Sequence, residues 1–142
     1  MNENTSQANQ PVLLTEATVQ EIQLELLRRT NYNALDGSWV ASRLQAHRHL
    51  WEAVLFDSFC ISNPGKLPFG GLIKLRDLPG NIWNVDTLYI LTPDSRSAHQ
   101  LAEIVEAEEW GDMVTVHYDL RDVEGALGGT GKEYAIVSIW WD

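Results

Sequence analysis

Residues 133–141 are apolar at both parities of a two-residue repeat: Tyr134, Ile136 and Trp140 on one, Ala135, Val137 and Ile139 on the other. Successive side chains of a strand point to opposite faces, so both sides of this segment need cover, which suits the interior of a sheet. A chain with such a strand must also supply flanking strands and a layer that shields them.

The rest of the chain can supply them. Residues 72–78 alternate as a strand, and Leu78-Pro79-Gly80-Asn81 has Pro and Gly at the central positions of a type II turn. Residues 82–91 are the expected return strand, with Trp83, Val85, Thr87, Tyr89 and Leu91 on one face. Thr92-Pro93-Asp94 opens a helix with Pro in its first turn. Ala98, Leu101, Ile104 and Val105 form its buried side, and Gly111 is the expected stop. Residues 113–120 form a third strand, and residues 121–132, with four glycines, a loop.

Two helices precede the strands. Residues 15–29 carry Val19, Ile22, Leu26 and Leu27 at helical spacing, with Thr18 and Glu21 placed as a capping box. Arg28 and Arg29 suit the negative end of the helix dipole, and Asn31-Tyr32-Asn33 breaks the helix. Residues 37–56 read as a longer helix capped by Asp36 or Ser38. It has one stripe of Val40, Leu44, His47, Trp51 and Val54 and a second of Trp39, Ala46, Leu50 and Ala53. Arg48 and Glu52 form an i,i+4 pair on its polar side.

The fold class that follows is α+β: an N-terminal helix pair packed on a roughly four-stranded sheet in ββαββ order. Residues 1–11 are a flexible tail and residues 12–142 one domain, long enough to bury about 70% of its unfolded surface. The strand-helix-strand stretch within residues 86–120 fits either a parallel crossover or an antiparallel neighbour. The polar start of the chain has no cationic or apolar signal segment, and no run of 18 apolar residues occurs, so the expected setting is a reducing cytoplasm with no membrane contact. Cys60, the single cysteine, excludes a disulfide framework and reads as a small buried hydrophobe between Phe59 and Ile61.

Candidate chemistry fails on spacing. Gly128-Gly129-Thr130-Gly131-Lys132 resembles a phosphate loop, but Ala126 stands where its first glycine belongs and Glu133 follows the lysine. A strand comes next, where a phosphate would need a helix N-terminus, so a hairpin tip is expected. His47 and His49 are two apart and so diverge on a helix, where metal pairs use a spacing of four. His99 and His117 fall on different elements and could converge with Asp119 or Cys60. Asp119, Asp122 and Glu124 lack the pattern of a calcium loop. No catalytic residue, cofactor or metal site is assigned.

What stands out is acidity and tryptophan. The net charge is −10, and residues 103–124 hold eight acids against one arginine. That sign disfavours nucleic acid and favours a basic protein surface. Consecutive elements tend to be neighbours, so these acids are expected to gather at one end of the domain. Of the six tryptophans, Trp140 and Trp141 are adjacent, so only one easily enters the core. The expected function is a non-enzymatic acidic interaction domain, an adaptor or inhibitor of a basic protein surface. Its partner-binding residues would be Glu106, Glu108, Glu109, Asp112, Asp119, Asp122, Glu124 and Trp141. The alternative is a small enzyme or ligand-binding domain with a pocket between the helix pair and the sheet, under the glycine loop.

Overall fold

The structure is a computed structural model that describes residues 11–58, 63–68 and 71–142. The tail up to residue 10, and Phe59, Cys60 and Ile61, lie outside the described residues. The elements are α1 (Val19–Arg29), α2 (Gly37–Ala46), β1 (Ala53–Asp57), β2 (Thr87–Thr92), α3 (Ser95–Ala107), β3 (Met113–His117), α4 (Leu120–Leu127) and β4 (Ala135–Trp140). An α+β fold is what the chain forms.

The four strands lie in the order β1-β2-β4-β3, every neighbouring pair antiparallel. β4, the strand apolar at both parities, is therefore interior. β2 and β3 are each antiparallel to β4 between them, so they run parallel to one another. α3 joins them across the inserted strand, a split β-α-β arrangement. β3 is thus not a neighbour of β2 at all.

Alternating side chains of the sheet point into the core: Val54 and Phe56 from β1, Leu88 and Ile90 from β2, Val137 and Ile139 from β4. Leu24 and Leu27 of α1, Val40 and Leu44 of α2, and Leu101 and Val105 of α3 join the same cluster. Full burial of each such aliphatic side chain contributes roughly 1.5–3 kcal/mol. Trp141 closes the end of the cluster at 1% exposure, its Nε1 donating to the Trp110 carbonyl oxygen.

Local signals hold where side chains act on their own backbone. Thr18 and Glu21 form the reciprocal capping box on α1, and Asp36 caps α2 through the Trp39 N–H. Asp94 caps α3 through the Ser97 N–H, so Pro93 lies just before the helix and not in its first turn.

Longer-range expectations are corrected. The second helix ends at Ala46, where residues 48–50 form a tight turn and the chain re-emerges as β1. Residues 53–56 satisfied a helical stripe and a strand alternation equally; pairing with β2 decided for the strand. Arg48 forms no ion pair with the Glu52 carboxylate among the described residues; its guanidinium sits 4.1 Å from the Trp51 ring centroid and donates to the Trp51 and Glu52 carbonyls. Residues 73–76 and 78–80 form two 3-10 turns in place of a strand. Both edges of β2 are already taken by β1 and β4, so no edge of it remains for a strand there. The strand after this region starts at Thr87, not at residue 82.

Two helix ends also differ from the expected ones. α3 ends at Ala107 with Glu108 as its cap, and the chain turns off at Glu109, a non-glycine residue at φ 56°, with the Glu109 and Trp110 N–H groups bonding back to the Glu106 and Val105 carbonyls. Gly111 serves packing instead, since a Cβ there would lie 2.4 Å from Ile139 Cγ2. The expected glycine loop begins with α4, capped by Asp119 and closed by Gly128 at φ 79°. The glycines after it turn the chain from a helix into β4, so they are no hairpin tip.

Candidate interaction surface

Core-facing residues occupy one parity of each strand, and the other parity lies on the opposite face of the sheet. Register aligns Leu55, Tyr89, Ser138 and Thr115 in a central row. Ala53, Leu91, Ile136 and His117 form the row on one side; Asp57, Thr87, Trp140 and Met113 form the row on the other. Leu55, Met113 and Trp140 are 48%, 59% and 37% exposed, so this face is partly apolar and open to solvent. Burial, with the nearby carboxylates Asp86 and Asp57, raises the pKa of the Tyr89 phenol. Trp140 Nε1 donates to Asp86 Oδ2 at 3.3 Å, and Lys74 pairs with Asp57.

The backbone directions follow from one bond. The Trp141 N–H donates to the Asp86 carbonyl, which turns the backbone groups of Ala135, Val137, Ile139 and Trp141 toward β2. Those of Ile136, Ser138 and Trp140 then turn toward β3, opposite His117, Thr115 and Met113. The N–H and C=O groups of Val114 and Val116 consequently face outward from the sheet. By the same alternation Val54 and Phe56 face outward at β1.

The two outer edges differ in what meets them. At β1, the Gln20 side chain donates to the Val54 carbonyl at 2.9 Å and accepts from the Val54 N–H. Gln23 Oε1 accepts from the Phe56 N–H at 3.1 Å. At β3, no described residue bonds the backbone of Val114 or Val116 outside the sheet. Gln20 and Gln23 went unread in the sequence because they break the apolar stripe of α1. They lie three apart beside Leu24 and Leu27, and that inward face, not one containing Val19, is the buried one; Val19 is 77% exposed.

The acids do not collect at one end. β3 separates them: Glu106, Glu108, Glu109 and Asp112 precede it, and Asp119, Asp122 and Glu124 follow it. Asp112 and Asp119 are seven residues apart along an extended segment, roughly 23 Å. Several hold the fold. Glu108 accepts from Arg43 Nε and Nη2, both at 2.8 Å, and from Trp110 Nε1 at 2.9 Å, which lowers its pKa to about 2. Asp112 accepts from the Asp142 N–H, and Asp119 caps α4. Glu124 accepts from the Thr130 hydroxyl and from the Thr130 and Gly131 N–H groups, closing the turn after α4, and these bonds lower its pKa. Glu106, Glu109 and Asp122 are exposed. Trp141, expected at an interface, is buried within the chain; of that adjacent pair it is Trp140 that faces solvent.

His47 and His49 do not diverge as they would on a helix: both lie past Ala46, the end of α2, with ring centroids 6.3 Å apart. His47 caps the end of α2 beside Arg43 and is half-buried, so it is not a core-stripe residue. His117 hydrogen-bonds Ser138 Oγ, while His99 packs against Tyr118 with ring centroids 5.3 Å apart. Among the described residues no group of three His, Cys, Asp or Glu side chains could hold a metal. A crevice of about 340 Å³ lies at the C-terminal end of α3, lined by Ala34, Glu109, Trp110, Gly111, Asp112 and Trp141, and not under the glycine turn. Trp110 and Trp141 are 2% and 1% exposed, so they offer a ligand almost no aromatic surface. No protein-family model, curated protein or solved structure matches this chain.

Proposed function

We propose that this chain is a non-enzymatic interaction domain that captures a basic segment of a partner protein. The observation that carries the reading is the placement of its exposed acids. Glu106, Glu109 and Asp112 stand before β3, and Asp119 and Asp122 after it, around an exposed strand that carries no carboxylate or permanent cation. Arg121 is the one cation of this stretch. A cationic partner would be steered to this side of the molecule, with an association rate that falls as salt rises. The open sheet face beside β3 adds apolar area that steering alone does not provide.

The experiment is a binding series with extended ten-residue peptides of strongly positive, zero and strongly negative net charge, followed by fluorescence anisotropy. The cationic peptide should bind most tightly and weaken with added salt. Glu106→Gln, Glu109→Gln and Asp122→Asn, combined, should weaken it about tenfold without loss of folding, because none of these side chains makes a hydrogen bond among the described residues. Equal affinity for all three peptides would remove the support for this function.

A further inference from the structure

We infer that the basic partner segment binds as an added strand on the outer edge of β3, pairing with the backbone of Val114 and Val116. The inference rests on the proposed function and names the site and the conformation of what binds there.

A sheet edge is a row of unpaired donors and acceptors, and a chain that is not to pair there covers or interrupts it. This protein covers one of its two edges. Gln20 and Gln23 place three side-chain hydrogen bonds on the outward backbone of β1. The outward groups of Val114 and Val116 meet nothing equivalent among the described residues. β3 carries no proline, lysine or arginine, and its Met113, Thr115 and His117 side chains are exposed on the open face. An extended segment added there would gain backbone hydrogen bonds from the edge and side-chain contacts from that face.

Charge selects the occupant. A second copy pairing antiparallel about Thr115 would place Met113 opposite His117 of the other copy and Asp112 opposite its Tyr118. Asp112 would then lie one position from the Asp119 of the other copy, at both ends of the pairing. Like charges so close across strands oppose association, and each copy carries a net charge of −10. A segment with cations at both ends would set opposite charges against Asp112 and Asp119. The span of roughly 23 Å between these acids fits seven or eight extended residues. The guest residues between the cations would be β-branched or apolar where they extend the open face beside Met113 and Thr115.

The probe is the octapeptide Lys-Arg-Val-Thr-Val-Thr-Arg-Lys, tested against the full chain together with a version N-methylated at alternate backbone amides. At saturation, exchange of the Val114 and Val116 amide protons, followed by NMR, should slow at least tenfold. The N-methylated peptide has the same charge but cannot complete the pairing, and it should bind at least tenfold more weakly. Val116→Pro removes an outward N–H without removing a bond to β4, and should weaken the unmodified peptide similarly. The N-methylated peptide keeps the test valid if that variant folds poorly. Salt-sensitive binding with unchanged exchange at Val114 and Val116, and equal affinity for the N-methylated peptide, would overturn strand addition while leaving the acidic function standing. No preference for the cationic octapeptide over an acidic counterpart would overturn both. A dimer of the chain alone that Val116→Pro abolishes would assign the edge to a second copy and overturn the basic occupant.

Discussion

The two edges of this sheet face the same chemical problem and meet it differently. At β1, glutamines on α1 take up the outward N–H and C=O of Val54 and the N–H of Phe56. At β3, the outward groups of Val114 and Val116 are bare among the described residues, and acids stand at both ends of the strand. An open edge is an aggregation hazard in a protein whose only requirement is to fold. One edge covered by uncharged side chains and the other bordered by charge is the arrangement expected when the second must admit a partner and repel copies of itself.

The largest effect is expected at β1. Replacing Gln20 and Gln23 together by Ala leaves the outward groups of Val54 and Phe56 unpaired beneath α1. The double variant should lose about 2–4 kcal/mol, since each unsatisfied, partly buried group costs about 1–3 kcal/mol. Urea denaturation measures the loss, and sedimentation should show new self-association through the exposed strand. An unchanged midpoint would mean that water replaces the glutamines and that the two edges are equivalent.

A smaller effect is expected at the base of the β3 edge, where Glu108 ties the end of α3 to Arg43 on α2. Glu108→Gln should cost about 1 kcal/mol near neutral pH, because the pair is about one-third exposed and solvent screens it. The folded pKa of about 2 lies below the ordinary 4.5. The stabilisation is therefore complete above about pH 4.5 and is lost as pH falls toward 2. Thermal melts of wild type and variant should differ by a constant amount between pH 6 and 8 and converge in acid. A difference that persists at pH 2 would assign the contribution to packing.

Least of all should change at Val19. Although apolar and helically spaced with Ile22 and Leu26, it points to solvent at 77% exposure. Val19→Lys should shift stability by less than about 0.5 kcal/mol. A larger loss on denaturation would mean that α1 buries the face containing Val19, and the glutamine cover of β1 would have to be reconsidered.

Local chemistry was legible in the sequence: the capping box of Thr18 and Glu21, the Asp36 cap, the covered faces of α3 and the interior position of β4. These depend on side chains acting within a few residues or on a periodicity with one solution. The acids of residues 103–124 were legible as a charge, but their division by β3 was not. Proximity in sequence does not fix which end of a strand each acid occupies.

The amino-acid order by itself determined an α+β domain with a doubly apolar strand at its centre, and a surplus of acid around the third strand. Only the tertiary structure decided that residues 53–57 leave a helical pattern to become β1, because β2 offers an edge that a helix cannot fill. It also decided that Trp141 turns inward and Trp140 outward, through the Trp141 N–H bond to Asp86 that sets the parity of β4. That same parity turns Val114 and Val116 outward at β3. A strand's alternation can be read from its sequence, but the side that meets a partner is set by hydrogen bonds to residues far away in the chain.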